Sequence, residues 1–290
     1  MVKCGIVGLP NVGKSTLFNA LCARRLAKTA AHPFTTIEPH EAVVEVPDEK
    51  LQKLADLIKP EKVVWATVTF IDIAGLCKGA AQGEGLGNQF LAKIREVDAI
   101  LHVVRMFEDP TVVQISGKID PKEDIDIVQT ELELGGIKDK PTLYVYNVSE
   151  ENFNPNENKL VINARLEEEL IDLSPDERLE YLKTLGIEET GLGRLVKASY
   201  KLLTLVTFYT IKGGRQVHGW SLKSGQTAQD AAGIVHTDFA KKFIRAQVIE
   251  YDKLIEAQSW REAKTKGWIR TEGKDYIVKD GDVVEFLVGS

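Results

Sequence analysis

The chain has 290 residues, 43% of them hydrophobic and 28% charged, with a formal net charge of −6. This balance excludes a disordered or fibrous chain and argues against a uniformly basic nucleic-acid binder, while the length suits one large domain or two ordinary ones. No apolar run approaches the ~20 residues of a membrane span, no basic-then-apolar signal opens the chain, and Cys4, Cys22 and Cys77 have no paired spacing. Reduced thiols, no membrane partner and a cytoplasmic location are expected.

The apolar run Cys4-Gly5-Ile6-Val7 leads into Gly8-Leu9-Pro10-Asn11-Val12-Gly13-Lys14-Ser15, and a helical pattern follows with Leu17, Phe18, Leu21 and Cys22 on one face. Strand, glycine-bounded loop, Lys-Ser and helix in that order form the phosphate-binding P-loop. A polyphosphate needs several donors converging on it, and loop N–H groups plus a helix N-terminus supply them without long side chains. Lys14 is expected to reach the β- and γ-phosphates and Ser15 to ligate Mg²⁺.

Next comes Pro33-Phe34-Thr35-Thr36-Ile37-Glu38-Pro39, whose flanking prolines favour an extended loop. On such a switch loop a threonine completes the Mg²⁺ shell, and Thr36 is the candidate, with Thr35 second. An ordinary loop with backbone-bonded hydroxyls remains the alternative. Ala42–Val46 is predicted as a strand and Asp48–Ile58 as a capped amphipathic helix. A buried strand from Thr67 then ends in Asp72-Ile73-Ala74-Gly75. Downstream of a P-loop, Asp72 can hold Mg²⁺ through water, and the Gly75 N–H can sense the γ-phosphate.

Gly79, Gly83, Gly85 and Gly87 make a conformationally free segment. Its spacing does not match a dinucleotide-binding loop, and a switch is the expectation. Asn88–Val97 is predicted as a helix and Ala99–Arg105 as a core strand, in which His102 reads as a satisfied structural histidine rather than a base. A helix from Asp124 to Leu134, a strand from Lys140 to Tyr146 and a strand from Leu160 to Arg165 complete a Val/Ile-rich alternation. Together they predict an α/β fold, a doubly wound, mainly parallel sheet with its ligand at the carboxyl ends of the strands.

From Leu205 the pattern changes to short strands (Val206–Ile211, Gln216–Ser221, Ile244–Ile249, Tyr276–Val278, Val283–Leu287) around a short helix, Thr227–Ala232. The expected division is a nucleotide-binding domain over 1–204 and a small α+β domain over 205–290. The second part carries 13 Lys/Arg against 11 Asp/Glu and the first 24 against 32. Lys241, Lys242 and Arg245 form either a basic edge or an ordinary solvated face.

These motifs together resemble the Obg-related translation-factor class of P-loop GTPases, and within it the Obg-like ATPase (YchF) family. The resemblance is carried by Gly8–Thr16, Pro33–Pro39, Asp72–Leu76 and Asn147-Val148-Ser149-Glu150. The C-terminal part looks like a ubiquitin-like TGS domain, through Gly273–Asp282 and Ala231–Asp238. The resemblance implies a nucleotide site that includes Asn11, Val12, Gly13, Lys14, Ser15, Thr16, Asn147, Val148, Glu150, Asn163 and Ala164, with Lys14, Gly75 and Thr36 in the catalytic set. It implies Mg²⁺ held by Ser15, Thr36 and Asp72, K⁺ at Asn11, and a ribosomal or ribosomal-RNA partner for a monomeric chain.

GTPases place Asn-Lys-x-Asp where this chain has Asn147-Val148-Ser149-Glu150. The longer Glu150 carboxylate cannot make the same bidentate contact to guanine without moving backbone, which removes on the order of 1–3 kcal/mol of guanine preference. ATP is therefore expected, with relaxed ATP/GTP use as the fallback. Leu76 replaces the water-orienting glutamine, so slow hydrolysis is expected. The family also implies a helical insertion between the helix ending near Leu134 and the strand starting at Thr142, where only Gly135 to Pro141 intervene. A GTP-specific GTPase, a small-acceptor kinase and a nucleotide-stabilised scaffold are the competing readings. The Asp-x-x-Gly turn and the lack of an Arg-rich lid disfavour the kinase, and intact P-loop chemistry disfavours the scaffold.

Overall fold

The structure is a computed structural model that describes residues 2–29, 40–73, 86–109, 119–149 and 159–289. The chain begins β1 (Lys3–Val7), α1 (Lys14–Thr29), β2 (Glu41–Glu45), α2 (Glu49–Ile58), β3 (Lys62–Val64), β4 (Thr67–Asp72), α3 (Leu86–Glu96) and β5 (Ala99–Arg105). It continues α4 (Pro121–Leu134), β6 (Thr142–Asn147), β7 (Leu160–Ile162), α5 (Ala164–Glu169), α6 (Pro175–Thr184) and α7 (Gly191–Leu202). The remainder is β8 (Leu205–Lys212), β9 (Gln216–Lys223), α8 (Ala228–Val235), α9 (Thr237–Lys241), β10 (Phe243–Glu250), α10 (Tyr251–Ala257), α11 (Trp260–Thr265), β11 (Arg270–Glu272) and β12 (Asp282–Val288). These elements form two units, Met1–Val44 with Val68–Leu203, and Glu45–Thr67 with Thr204–Ser290.

In the first unit a sheet runs β2-β4-β1-β5-β6-β7, and β4, β1, β5, β6 and β7 are parallel. Every residue of β5 is buried, as a strand covered on both faces requires. The chain passes from β4 on one side of β1 to β5 on the other, so the topological switch lies at β1 and β5. Register places Arg105, Asn147 and Ile162 side by side at the carboxyl edge.

The seven residues after α4 form a tight junction. Gly135 donates to the Glu131 carbonyl, and its own carbonyl accepts from Arg95 Nη2 at 2.8 Å. An alanine at Gly135 would drive a Cβ to 2.4 Å from the Leu91 side chain. Lys140 Nζ donates to the Ile94, Arg95 and Val97 carbonyls, which satisfies the C-terminal end of α3.

The second unit is a sheet ordered β11-β10-β12-β8-β9-β3. Alternation sends neighbouring residues to opposite faces. Tyr209, Ile249 and Val283 join Leu51 and Leu54 of α2 and Leu254 of α10 in one core. Phe208, Val248 and Val284 join Ala228 and Ala231 of α8 in another. The segment Glu45–Thr67 therefore belongs with the C-terminal unit, and β3 pairs in parallel with β9. This departs from a division into consecutive blocks at residue 204.

Three expectations about elements change. Tyr276–Val278 is not a strand, because only Ile277 makes an isolated bridge, to Thr227. The strand expected to reach Arg165 stops at Ile162, because Asn163 turns its side chain back to cap α5, accepting from the Leu166 N–H at 3.0 Å. The stretch between β7 and β8, for which no helix was expected, forms α6 and α7; α6 opens on a Ser174–Glu177 capping box behind Pro175.

His102 is 3% exposed, and its ring centroid is 5.5 Å from that of Tyr144. It was expected to be a satisfied histidine, yet Nε2 has no hydrogen-bond partner among the described residues. Burial, and then the positive charge of Lys14, push its pKa down to about 4. Unfolded, the imidazole titrates near 6.5, so between these values the unfolded state binds more protons and stability falls as pH falls. The full loss is about 3 kcal/mol. Protection of the β5 amides, measured by hydrogen exchange with urea at pH 7 and pH 4.5, is expected to drop in the native protein. His102→Leu should flatten that dependence.

Asp48 predicts a second, separate effect. One carboxylate oxygen accepts from the Lys50 and Leu51 N–H groups at 2.9 and 3.1 Å, and the other accepts from the Tyr209 hydroxyl at 2.7 Å. Asp48→Ala removes a helix cap and leaves a buried hydroxyl unpaired, a loss of about 2–3 kcal/mol. Trp65, Trp220, Trp260 and Trp268 are the chain's four tryptophans and all lie in this unit, so their fluorescence reports its urea midpoint. The midpoint should fall clearly for Asp48→Ala and by less than half as much for Tyr209→Phe.

Candidate functional site

The loop after β1 is built around three backbone requirements. Gly8 has φ +153°, and a Cβ there would lie 2.5 Å from the Val103 carbonyl. Asn11 takes the left-handed region at φ 64°, a conformation asparagine tolerates better than most residues. Gly13 has φ +94°, and a Cβ there would fall 2.2 Å from the Asn147 amide nitrogen. The two glycines of the sequence pattern are thus required by close approach as much as by torsion.

α1 begins at Lys14 and has no acidic residue in its first turn, so nothing on the helix offsets its positive end. Lys14 is buried, and Nζ donates to the Leu9 carbonyl at 2.6 Å. Ser15 is exposed beside it. A cleft of about 770 Å³ opens here, lined by Asn11, Gly13, Lys14, Ser15 and Thr16 on one wall. Val12 is buried and turns only its carbonyl to the loop's neighbour.

That neighbour is Asn147, the last residue of β6. Its Nδ2 donates to the Val12 carbonyl and its Oδ1 accepts from the Ala164 N–H, both at 3.0 Å. The side chain therefore bridges the phosphate-type loop and the β7–α5 turn. Val148 is held against β7 by its N–H on the Ile162 carbonyl, and Asn163 caps α5. Asn147, Val148, Ser149, Asn163 and Ala164 all line the cleft, so the first and last of the expected motifs converge on one site.

The opposite wall was not anticipated. Phe107, Glu108 and Asp109 follow β5, and Arg165, Leu166, Glu168 and Glu169 come from α5. Arg105, read from sequence as structural, is buried. Its Nε donates to the Phe107 carbonyl at 3.0 Å, and its guanidinium sits 4.5 Å from the Phe107 ring centroid. The sign that pointed there was topological: β5 borders the switch point, and the residues just past such a strand face the ligand.

Asp72 ends β4, in register with Ile6 of β1, and does not line the described cleft. Thr35, Thr36, Gly75, Leu76 and Glu150 lie outside the described residues, as does most of the glycine-rich segment from Gly79. Among the described residues no three His, Cys, Asp or Glu side chains cluster as a metal cage. No described helix is long and apolar enough to cross a membrane.

Comparison with known proteins agrees with this geometry. Residues 3–148 match the family model for a 50S ribosome-binding GTPase, and residues 205–289 match YchF-GTPase_C, a protein of unknown function (DUF933). A ribosome-binding ATPase YchF from Pasteurella multocida is 43% identical, with 98% of each chain covered. Its namesake from Bacillus subtilis is 39% identical, again with 98% of each covered. The first alignment runs over 358 positions against 290 residues here, so that relative carries residues with no counterpart in this chain. The structure of the Schizosaccharomyces pombe YchF GTPase superposes with a TM-score of 0.85 at 29% identity, covering 99% of this chain and 97% of that one. A P-loop domain whose asparagine latch meets the β7–α5 turn, followed by the matched C-terminal unit, places this chain in the YchF family.

Proposed function

We propose that this chain is a cytoplasmic nucleotide switch that hydrolyses ATP slowly and reports its nucleotide state to the ribosome. The observation that carries the reading is the cleft in which Lys14 and the unneutralised start of α1 face the Asn147 latch. The names of the Pasteurella and Bacillus relatives support the ATP and ribosome parts.

In this reading the loop N–H groups and Lys14 hold the β- and γ-phosphates, with Lys14 exchanging the Leu9 carbonyl for phosphate oxygen. Ser15 on the first turn of α1 suits a divalent ion, and with Thr36 and a water on Asp72 would hold Mg²⁺. Bound Mg²⁺ supplies positive charge where the leaving diphosphate develops its negative charge. Asn11, at the cleft mouth, is the candidate K⁺ ligand. Gly75 offers its N–H to the γ-phosphate, and Leu76 cannot orient water, which accounts for slow turnover. Phe107 offers a flat apolar face to a purine, and Val148 with Glu150 replaces the guanine-reading pair. The chain is read as a monomer.

Calorimetric titration with Mg²⁺ and K⁺ tests the purine assignment. ADP is expected to bind at least as tightly as GDP, and a clear preference for GDP overturns the ATP assignment. Lys14→Ala should lower turnover by about 10²- to 10³-fold, the scale of losing one preorganised donor. Equal turnover in Na⁺ and K⁺ buffers would remove the K⁺ role.

Asn147→Ala separates a latch from a base reader. It leaves the Val12 carbonyl and Ala164 N–H unpaired, about 1–3 kcal/mol each. A latch predicts ADP and GDP weakening together, by roughly 10- to 100-fold. A change in the ADP/GDP ratio would instead assign the side chain to the base.

A further inference from the structure

The leading end of β10 is an exposed, cationic strand edge. β11 pairs only with Ala246–Val248, so among the described residues Phe243–Arg245 has no strand on that side. A bulge interrupts pairing with β12 between Phe243 and Arg245, and Ile244 at the bulge is 62% exposed. Lys241 and Lys242 precede it and Arg245 follows it, all exposed. Among the described residues none of the three has an ion-pair partner. Asp238, the acid of α9, faces His236 at 3.8 Å. By contrast Arg215, Lys253 and Arg270 of the same unit are paired with Glu61, Glu250 and Glu272.

We infer that this edge is a docking surface for the phosphate backbone of RNA. Three adjacent uncompensated cations in a chain of net charge −6 are an electrostatic footprint of the kind phosphate contacts use. A bulged edge flanked by lysines also resists strand addition by a protein partner, because the bulge breaks the ladder and the charges repel a regular neighbour. Backbone N–H groups along an uncovered edge can add donors to phosphate oxygens. Ile244, isolated among the cations, is too small an apolar area to anchor a protein interface. The inference deepens the ribosome reading above and rests on it for the RNA's source.

The test uses the full chain with two probes, purified ribosomes and protein-free ribosomal RNA, across 50 to 200 mM salt. The variants are a Lys241→Gln, Lys242→Gln, Arg245→Gln triple and a single Ile244→Asp. None of these residues lines the nucleotide cleft, so basal turnover and the tryptophan-reported urea midpoint should hold and serve as fold controls. The expected result is at least 10-fold weaker binding of both probes by the triple, with the log–log salt slope shallower by about 2 to 3, one for each lost phosphate contact. If native protein binds ribosomes and the triple binds them equally well, the edge is wrong and the ribosome reading stands. If the triple or Ile244→Asp loses ribosomes while RNA binding is untouched, the partner is a ribosomal protein and the RNA assignment falls. If native protein ignores ribosomes yet binds RNA through these cations, the edge stands and the ribosome reading falls. If it binds neither probe, both fall.

Discussion

The asparagine at the end of β6 is the constraint on which the site depends. Asn147 spends its donor on the loop after β1 and its acceptor on the turn after β7, so one amide group fixes the spacing between two walls of the cleft. Gly13 has no Cβ because this amide occupies the space a Cβ would need. The left-handed Asn11 and the wide-angle Gly8 then follow, since the loop must leave β1 beneath the Val103 carbonyl and still deliver the Val12 carbonyl to Asn147. An unpaired carbonyl or N–H at these buried positions would cost as much as a typical point mutation, so the latch and the loop are energetically one object.

A loop held in this way can bind phosphate without rearranging. The cost of ordering backbone N–H groups around an anion is met on folding, because the sheet register already places Arg105, Asn147 and Ile162 in line. Arg105 performs the same service on the other wall. Its guanidinium is committed to the Phe107 carbonyl and ring, which holds that loop in place and makes Arg105 unsuited to meeting a phosphate. The acids Glu108, Asp109, Glu168 and Glu169 therefore sit on the wall away from Lys14, where a neutral base and ribose can be tolerated but a phosphate tail cannot.

The phosphate half of this site was legible in the sequence because glycine spacing and a following helix encode it locally. The parallel sheet was legible because β5 and its neighbours are continuous apolar runs. The opposite wall was not, since Phe107–Asp109 carries no motif and acquires meaning only when β5 is known to border β1. Asn163 was read as strand because Leu160-Val161-Ile162 precedes it, although an asparagine before Ala164-Arg165-Leu166 is also a capping signal. The placement of Tyr276–Val278 failed because hydrophobic alternation over three residues cannot distinguish a strand from an extended loop that makes one bridge.

The passage of Glu45–Thr67 into the C-terminal unit was invisible to sequence for a different reason. Its helix and strand patterns were read correctly as local structure, but nothing in a 3.6 or 2.0 period says which sheet an element joins. The physical consequence is a C-terminal unit that is not contiguous in the chain. A fragment starting at residue 205 would lack Leu51 and Leu54, which fill one of its two cores, and Asp48, which satisfies the Tyr209 hydroxyl. It would also leave β9 without β3 as its neighbour, an open edge of the kind that invites aggregation. A fragment of residues 1–204 would carry the same helix and strand without the sheet that buries them. Two leucine side chains removed from a core cost about 2–5 kcal/mol each, a sizeable share of the stability of a domain this small. The C-terminal unit can therefore be complete only when the chain that also builds the nucleotide sheet is present.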